Sequence, residues 1–180
     1  NPEKFEDLKN QETIKTKIIL VENPGSNTFE FQDLSKIVKL AKSKNILTLL
    51  DNTWGTALYL KPIKIGFDMS FCSATKYLSG HSDAMGGTLS VNKKVFRKIM
   101  FFYKLSGYRM SADEAYLIIR GLRTLDVRLK LHQENTKKVI NFLNRQKRIK
   151  EVLYPHKVSS KNYKLWKKYY SGATGLLSIV

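Results

Sequence analysis

A chain of 180 residues has room for one ordinary domain or one and a half, and 42% hydrophobic content excludes wholesale disorder. The formal net charge of +17 favours anionic partners such as nucleic acid or a membrane surface. Lysines outnumber arginines 25 to 7, however, and stand interleaved with acids and apolar residues, with no arginine-rich stripe and no aromatic-basic repeat. The charge therefore reads as solvated helix faces, and neither nucleic acid nor membrane is expected as a partner. No segment reaches the ~20 apolar residues that span a bilayer. Asn1-Pro2-Glu3-Lys4 opens no apolar signal core. The chain does not start with methionine, which suggests a fragment or a processed chain. Cys72 is the single cysteine, excludes an internal disulfide, and sits in an apolar run that reads as a buried small residue.

Residues 1–16 are polar and charged and suggest a helix or an ordered tail. Lys17 to Val21 is a short β-branched run, a buried strand by length and type. Asn23-Pro24-Gly25-Ser26 marks a turn. Asp33 is placed to cap a helix whose apolar positions Leu34, Ile37, Val38 and Ala41 recur at helical spacing. Ile46 to Leu50 is a second apolar strand that ends at Asp51. Strand, helix and strand in so short a span form a βαβ unit with parallel strands, so the fold class is α/β.

Phe67 to Ser73 reads as a third strand, and Gly86-Gly87 opens a fourth over Thr88 to Val91. A helix is expected from Lys93 to about Leu105. Ser111 and Glu114 form a capping-box pattern that starts a helix to about Arg120, broken at Gly121. A long amphipathic helix follows from about Thr124 to Arg145. Ile149 to Tyr154 is strand-like, Lys161 to Tyr170 is basic and aromatic, and Gly175 to Val180 is an apolar strand with no visible partner. Residues 1–122 read as part of an α/β domain, 123–148 as a linking helix, and 149–180 as the start of a second, truncated domain.

Chemistry gathers at two strand ends. In open α/β sheets, ligands sit beyond the carboxyl ends of the strands. One strand ends in Asp51, the other runs into Ser73-Ala74-Thr75-Lys76, and parallel neighbours would share one crevice. In an extended segment Ser73 and Thr75 point to one side, where two hydroxyls can donate to one phosphate. Lys76, just beyond them, is placed to react with something that the phosphate anchors. A cofactor with a phosphate tail and an aldehyde, pyridoxal phosphate, suits this set: Lys76 for the Schiff base, Asp51 for the pyridine nitrogen, Ser73 and Thr75 for the phosphate. The freed Lys76 amine could then move protons at the substrate α-carbon. From spacing alone a plainer reading stands beside it, with Asp51 as a turn residue and Ser73 and Thr75 as strand-end caps. His81, His132 and His156 lie far apart and lack cysteine partners, so no metal site is expected. Gly86-Gly87 is too short to count as a phosphate loop.

Asp51-Asn52-Thr53-Trp54 and the run from Ser73 to Gly87 (SATKYLSGHSDAMGG) resemble the Cys/Met-metabolism enzymes that use pyridoxal phosphate, the trans-sulfuration enzymes of the aspartate aminotransferase fold. Arg120-Gly121-Leu122-Arg123-Thr124-Leu125, with Arg128 and His132, is similar to the family's entry into its long inter-domain helix. Glu22-Asn23-Pro24-Gly25-Ser26 is a weaker match to a family turn. The resemblance implies a partial fold type I large domain with the start of the small C-terminal domain. It gives Lys76, Asp51, Ser73 and Thr75 the roles named above, and Trp54 tilts the likeness toward the bacterial β-lyases. It implies a carbon–sulfur lyase that converts cystathionine to homocysteine, pyruvate and ammonia in methionine biosynthesis, in the cytoplasm, as a homodimer or homotetramer. The γ-lyase, γ-synthase and sulfhydrylase activities of the family stay open, as does an inactive remnant. A full-length member is more than twice as long. The Gly-rich phosphate turn, the ring-stacking tyrosine, the neighbouring subunit's Tyr-x-Arg clamp and the substrate-carboxylate arginine are expected outside this chain. Arg109, Arg120, Arg123 and Arg128 do not sit where that arginine belongs.

Overall fold

The computed structural model describes Phe5, Glu6, Asn10 and residues 15–180, so most of the helix or tail expected over 1–16 lies outside the described residues. Strands β1 (Ile18–Glu22), β2 (Leu47–Asp51), β3 (Met69–Ser73) and β4 (Gly87–Val91) form one sheet in that order. The first three are parallel, and β4 returns antiparallel to β3. The expected βαβ unit is present. Helix α1 (Leu34–Ser43) crosses from β1 to β2, capped by the Asp33 carboxylate, which accepts from the Ser35 and Lys36 amides. Its apolar face, Leu34, Ile37, Val38 and Ala41, packs in one cluster with Ile19, Val21 and Leu50 of the sheet. By alternation along the strands, Leu20, Glu22, Leu49 and Asp51 point to the other face. That face is open at the β1 edge, where Leu20 is 67% exposed.

Short helical turns α2 (Thr56–Tyr59) and α3 (Pro62–Ile65) lead from β2 to β3. Asp68 then pins the sheet at the end away from Asp51. Its carboxylate accepts from the Thr48 amide at 3.0 Å, the Thr48 hydroxyl at 3.1 Å and the Asn92 side-chain amide at 2.9 Å. With this end fixed, the opposite ends of β2 and β3 are held side by side.

Helices α4 (Lys93–Ser106), α5 (Ala112–Leu122) and α6 (Leu125–Leu143) follow β4. The capping box at Ser111 and Glu114 forms as the sequence indicates. The break expected at Gly121 falls two residues later, at Arg123 and Thr124. Gly121 has a different reason to be glycine. Helix α5 lies directly on the backbone after β3, and a Cβ at Gly121 would stand 2.2 Å from the Ser79 carbonyl oxygen and 2.4 Å from that of Leu78.

The tail corrects another expectation. Gly175 to Val180 does find a partner: β6 (Ser178–Ile179) pairs antiparallel with β5 (Val152–Leu153). The ribbon is extended by the Lys150 amide donating to the Val180 carbonyl at 2.7 Å. The basic aromatic stretch between them forms α7 (Tyr163–Tyr169). Val152, Tyr154, Trp166, Tyr170 and Ala173 bury themselves in the same apolar cluster as β1, β2 and α1. A second cluster, with Cys72, Ala74, Leu78, Ile118, Leu125 and Leu129, lies around the segment after β3. Helix α6 joins the two, with Leu125 and Leu129 in the second and Ile140 in the first. Among the described residues no helix is long and apolar enough to cross a membrane.

Two outcomes follow from this packing. Gly121→Ala pushes a methyl into two carbonyl oxygens, and overpacking of this kind costs about 1–3 kcal/mol; a lowered urea midpoint with an unchanged slope is the expected signature. The His156 ring lies 4.3 Å from the Trp166 ring. Burial, and then the charge of Lys137, hold its imidazole below the ordinary histidine range. As pH falls through about 6.5, the unfolded chain takes up the proton first, so stability drops with acidification. A His156→Phe variant is expected to show a flatter stability profile between about pH 7 and about pH 5.

Candidate active site

The β2–β3 pairing sets the site. Asp51 is in register with Phe71, two residues before Ser73. The strand ends are bridged by Thr53, which stands in the Asp51-Asn52-Thr53-Trp54 motif and to which spacing assigns no role in the site. Its hydroxyl donates to Asp51 Oδ1 at 2.6 Å and accepts from the Ser73 amide at 2.9 Å. The Thr53 amide donates to the same carboxylate oxygen at 2.9 Å. Asp51 Oδ2 and the Ser73 hydroxyl have no hydrogen-bond partner among the described residues. The carboxylate is thus oriented through one oxygen and leaves the other free to receive a proton donor.

The chain does not stay extended after Ser73, which corrects the strand argument for Ser73 and Thr75. Ala74 to Leu78 winds into a wide π-type turn, closed by the Ser79 amide on the Ala74 carbonyl at 2.9 Å. The turn leaves helical geometry at Lys76 (φ −95°, ψ −108°). Gly86, at the start of the returning strand, clamps it. The Ala74 amide donates to the Gly86 carbonyl at 2.8 Å, and the Gly86 amide donates to the Thr75 hydroxyl at 3.0 Å. The Thr75 oxygen is therefore fixed by backbone; its hydroxyl donates to the Gly86 carbonyl at a long 3.4 Å, and its proton can turn from there toward an anion. Gly86-Gly87 serves this clamp. A Cβ at Gly86 would press on Ile118 and Met110 at 3.0 Å, and one at Gly87 on the Phe71 ring at 2.8 Å.

Lys76 is exposed and lines a cleft of about 690 Å³ together with Thr75, Tyr77, Asp83, Arg128 and His132. Asp51 and Ser73 lie at the strand ends and are not among the cleft's lining residues. Tyr77 and His132 meet edge to face at 5.9 Å. Arg120 pairs with Asp83 at 2.7 Å, but with both side chains well exposed the pair contributes at most ~1 kcal/mol. His81 Nδ1 lies 2.7 Å from the Ser79 carbonyl oxygen, a local contact. Among the described residues no three His, Cys, Asp or Glu side chains gather to hold a metal ion.

Trp54 is placed in the core. It makes edge contacts with Phe29, Tyr154 and Tyr170, and its indole donates to the Leu176 carbonyl at 3.4 Å. It does not line the Lys76 cleft. Its contacts seat the C-terminal segment on the sheet, so the structure gives Trp54 a packing role and no place in the cleft.

The donor set fits pyridoxal phosphate. An accessible primary amine, a carboxylate with one free oxygen and two hydroxyls stand at adjacent strand ends, and each matches a group of that cofactor. The whole chain, residues 1–180, matches the family described as Cys/Met metabolism PLP-dependent enzyme. It is 41% identical over 164 residues to an L-alanine/L-glutamate racemase of Wolbachia pipientis, covering 91% of this chain and 41% of that protein. It is 40% identical over 167 residues to a cystathionine beta-lyase of Escherichia coli, covering 92% of this chain and 42% of that protein. Among solved structures, a cystathionine gamma-lyase from Lactobacillus plantarum in complex with L-serine superposes with a TM-score of 0.95 at 27% identity, over 99% of this chain and 47% of that one. The architecture is thus that of the fold type I pyridoxal-phosphate enzymes. The chain belongs to the Cys/Met-metabolism family of those enzymes and spans about two fifths of the length of these two curated relatives.

Cys72 lies between the proposed cofactor groups without being one. Burial pushes its thiol up to about 12, the Asp51 charge adds to this, and Lys76 opposes it. With so little thiolate, its alkylation at about pH 8 is expected to be on the order of a thousand-fold slower in the folded protein than in urea. Timed iodoacetamide labelling, followed by mass spectrometry, measures the ratio.

Proposed function

We propose that the full protein containing this chain is a pyridoxal-phosphate carbon–sulfur lyase that cleaves cystathionine by β-elimination. The observation that carries this reading is the placement of Lys76 in a cleft beside Thr75, one strand end from an Asp51 carboxylate that Thr53 orients. When bound, pyridoxal phosphate supplies the electron sink that makes the substrate α-carbon acidic. Lys76 would hold the cofactor through its aldehyde and, as a free amine, would take the substrate α-proton as general base. Asp51 would keep a proton on the ring nitrogen through its free oxygen. Ser73 and Thr75 would donate to the phosphate, and Gly86 keeps the Thr75 oxygen in place. Loss of the α-proton would let the bond between the β-carbon and sulfur break, and the protonated Lys76 amine would return a proton to the departing thiolate. With one water consumed, the products are homocysteine, pyruvate and ammonia. The cystathionine beta-lyase of Escherichia coli supports this choice of substrate.

A second reading rests on the Wolbachia relative. Racemisation of an amino acid begins with the same α-proton transfer and ends with its return to the opposite face. The two activities part at the β-carbon, where a sulfur leaving group is needed only for the first. We also infer that 1–122 belongs to the large domain, that 123–148 links it to the small one, and that 149–180 begins the small domain.

The test supplies the full protein and pyridoxal phosphate with cystathionine, and separately with L-alanine and L-glutamate. Pyruvate and free thiol from cystathionine are expected, and Lys76→Ala should reduce their rate by about a thousand-fold or more. Appearance of D-alanine or D-glutamate without pyruvate from cystathionine would replace the lyase reading with the racemase one.

A further inference from the structure

The segment that follows Lys76 is closed from outside by one side chain that no role in the chemistry has claimed. Gly80 adopts a left-handed conformation (φ +72°), and its amide donates to the Lys76 carbonyl at 2.8 Å. That bond makes the lysine's own peptide part of the turn. The Ser79 hydroxyl adds a second closure, donating to the Thr75 carbonyl at 3.0 Å. Whatever fixes Gly80 therefore fixes the backbone from which the Lys76 amine projects.

Arg128 of α6 stands against Gly80. A Cβ at Gly80 would lie 2.2 Å from one guanidinium nitrogen and 2.4 Å from the guanidinium carbon, so the planar group occupies the space above the glycine. The guanidinium is itself held. Its Nε donates to the Thr124 hydroxyl at 3.0 Å and its Nη2 to the Gly121 carbonyl at 2.9 Å. The Gly121 carbonyl also accepts from the Thr124 amide at 3.1 Å and hydroxyl at 3.2 Å, which concentrates three donors on the break between α5 and α6. Gly121 is the residue whose Cα rides on the Leu78 and Ser79 carbonyls. The break and the turn are thus pressed together from two sides, by a glycine below and a guanidinium above. Arg128 is half-buried, and among the described residues no carboxylate pairs with it. Burial alone lowers its guanidinium below the ordinary arginine range. A partly buried arginine with no carboxylate partner among the described residues, bonded in a fork to backbone and hydroxyl, is spent on geometry.

We propose that Arg128 is the positioning residue for Lys76: bonded to the Gly121–Thr124 helix break, its guanidinium locks Gly80 and thereby the turn that carries the reactive amine. The inference rests on the functional reading only for what Lys76 does; the lock itself is a property of the protein without cofactor. A lysine at 128 cannot make both bonds of the fork and cover Gly80 with a plane, so charge alone does not replace it.

Hydrogen exchange on the cofactor-free full protein tests the lock. Arg128→Ala and Arg128→Lys are expected to raise amide exchange over residues 76–82 by ten-fold or more, on the order of the loss of one charge-assisted hydrogen bond, while β1 and β2 exchange as before. Lys130→Ala, on the same helix and bonded only to Asp126, serves as the unchanged control. In a parallel titration both Arg128 variants should weaken pyridoxal phosphate binding by about ten-fold or more, read from the near-visible absorbance. Gly80→Ala drives a methyl into the guanidinium and should give the same local loosening. In the double variant with Arg128→Ala, the two effects should overlap and not add. Wild-type exchange over 76–82 in Arg128→Lys, a uniform rise that includes the strands, or strict additivity with Gly80→Ala would each overturn the proposal. If the wild-type protein binds no pyridoxal phosphate, the functional reading fails by itself, and the exchange data still judge Arg128.

Discussion

The parallel register of β2 and β3 is the constraint on which the site depends. It places Asp51 beside Phe71, so the carboxylate and the end of the lysine strand emerge at one edge of the sheet. Side chains alternate along a strand, and a slip of one residue would send Asp51 to the α1 face, away from Ser73. The register is held at both ends. Asp68 ties Thr48 and Asn92 together at one end. Thr53 ties Asp51 to the Ser73 amide at the other. Between them Leu50 is buried in the cluster that α1 covers, so a slip would also empty the core.

Beyond that edge the backbone is shaped by close approach. A π-type turn leaves few internal hydrogen bonds to define it, and its neighbours supply the rest. Gly86 clamps it from the returning strand, Gly121 meets it backbone to backbone, and Arg128 covers Gly80. A Cβ would collide with a neighbouring group at Gly80 and Gly121 and sit tight against two side-chain ends at Gly86. Reactive lysines gain from such surroundings, because an amine on a flexible four-carbon stem is only as well placed as its Cα.

How much of this was legible in the sequence depends on whether the signal was local. The β1–α1–β2 unit was, since Leu34, Ile37, Val38 and Ala41 repeat at helical spacing and Asp33 and Ser111 announce their caps. So was the adjacency of the two strand ends, which needs only parallel strands; the single crevice was not, since Asp51 and Ser73 do not line the Lys76 cleft. The conformation of 74–78 was not, because strand alternation was carried past Ser73 into a turn whose shape Gly86, eleven residues or so later, dictates. Gly121 looked like a helix stop because its true neighbours, the carbonyls of Leu78 and Ser79, are distant in sequence. The same holds for β6, whose partner β5 lies on the far side of α7, and for Trp54, whose ring meets Tyr154 and Tyr170. Thr53 was visible next to Asp51, and only the geometry gives its hydroxyl a task.

Under the proposed function, one lysine among 25 carries the cofactor. Borohydride reduction of the full protein with equimolar pyridoxal phosphate, followed by peptide mapping, addresses it directly. The reduced adduct is expected on Lys76, with the other lysines essentially unlabelled. An adduct spread over exposed lysines, or concentrated at another position, would contradict it.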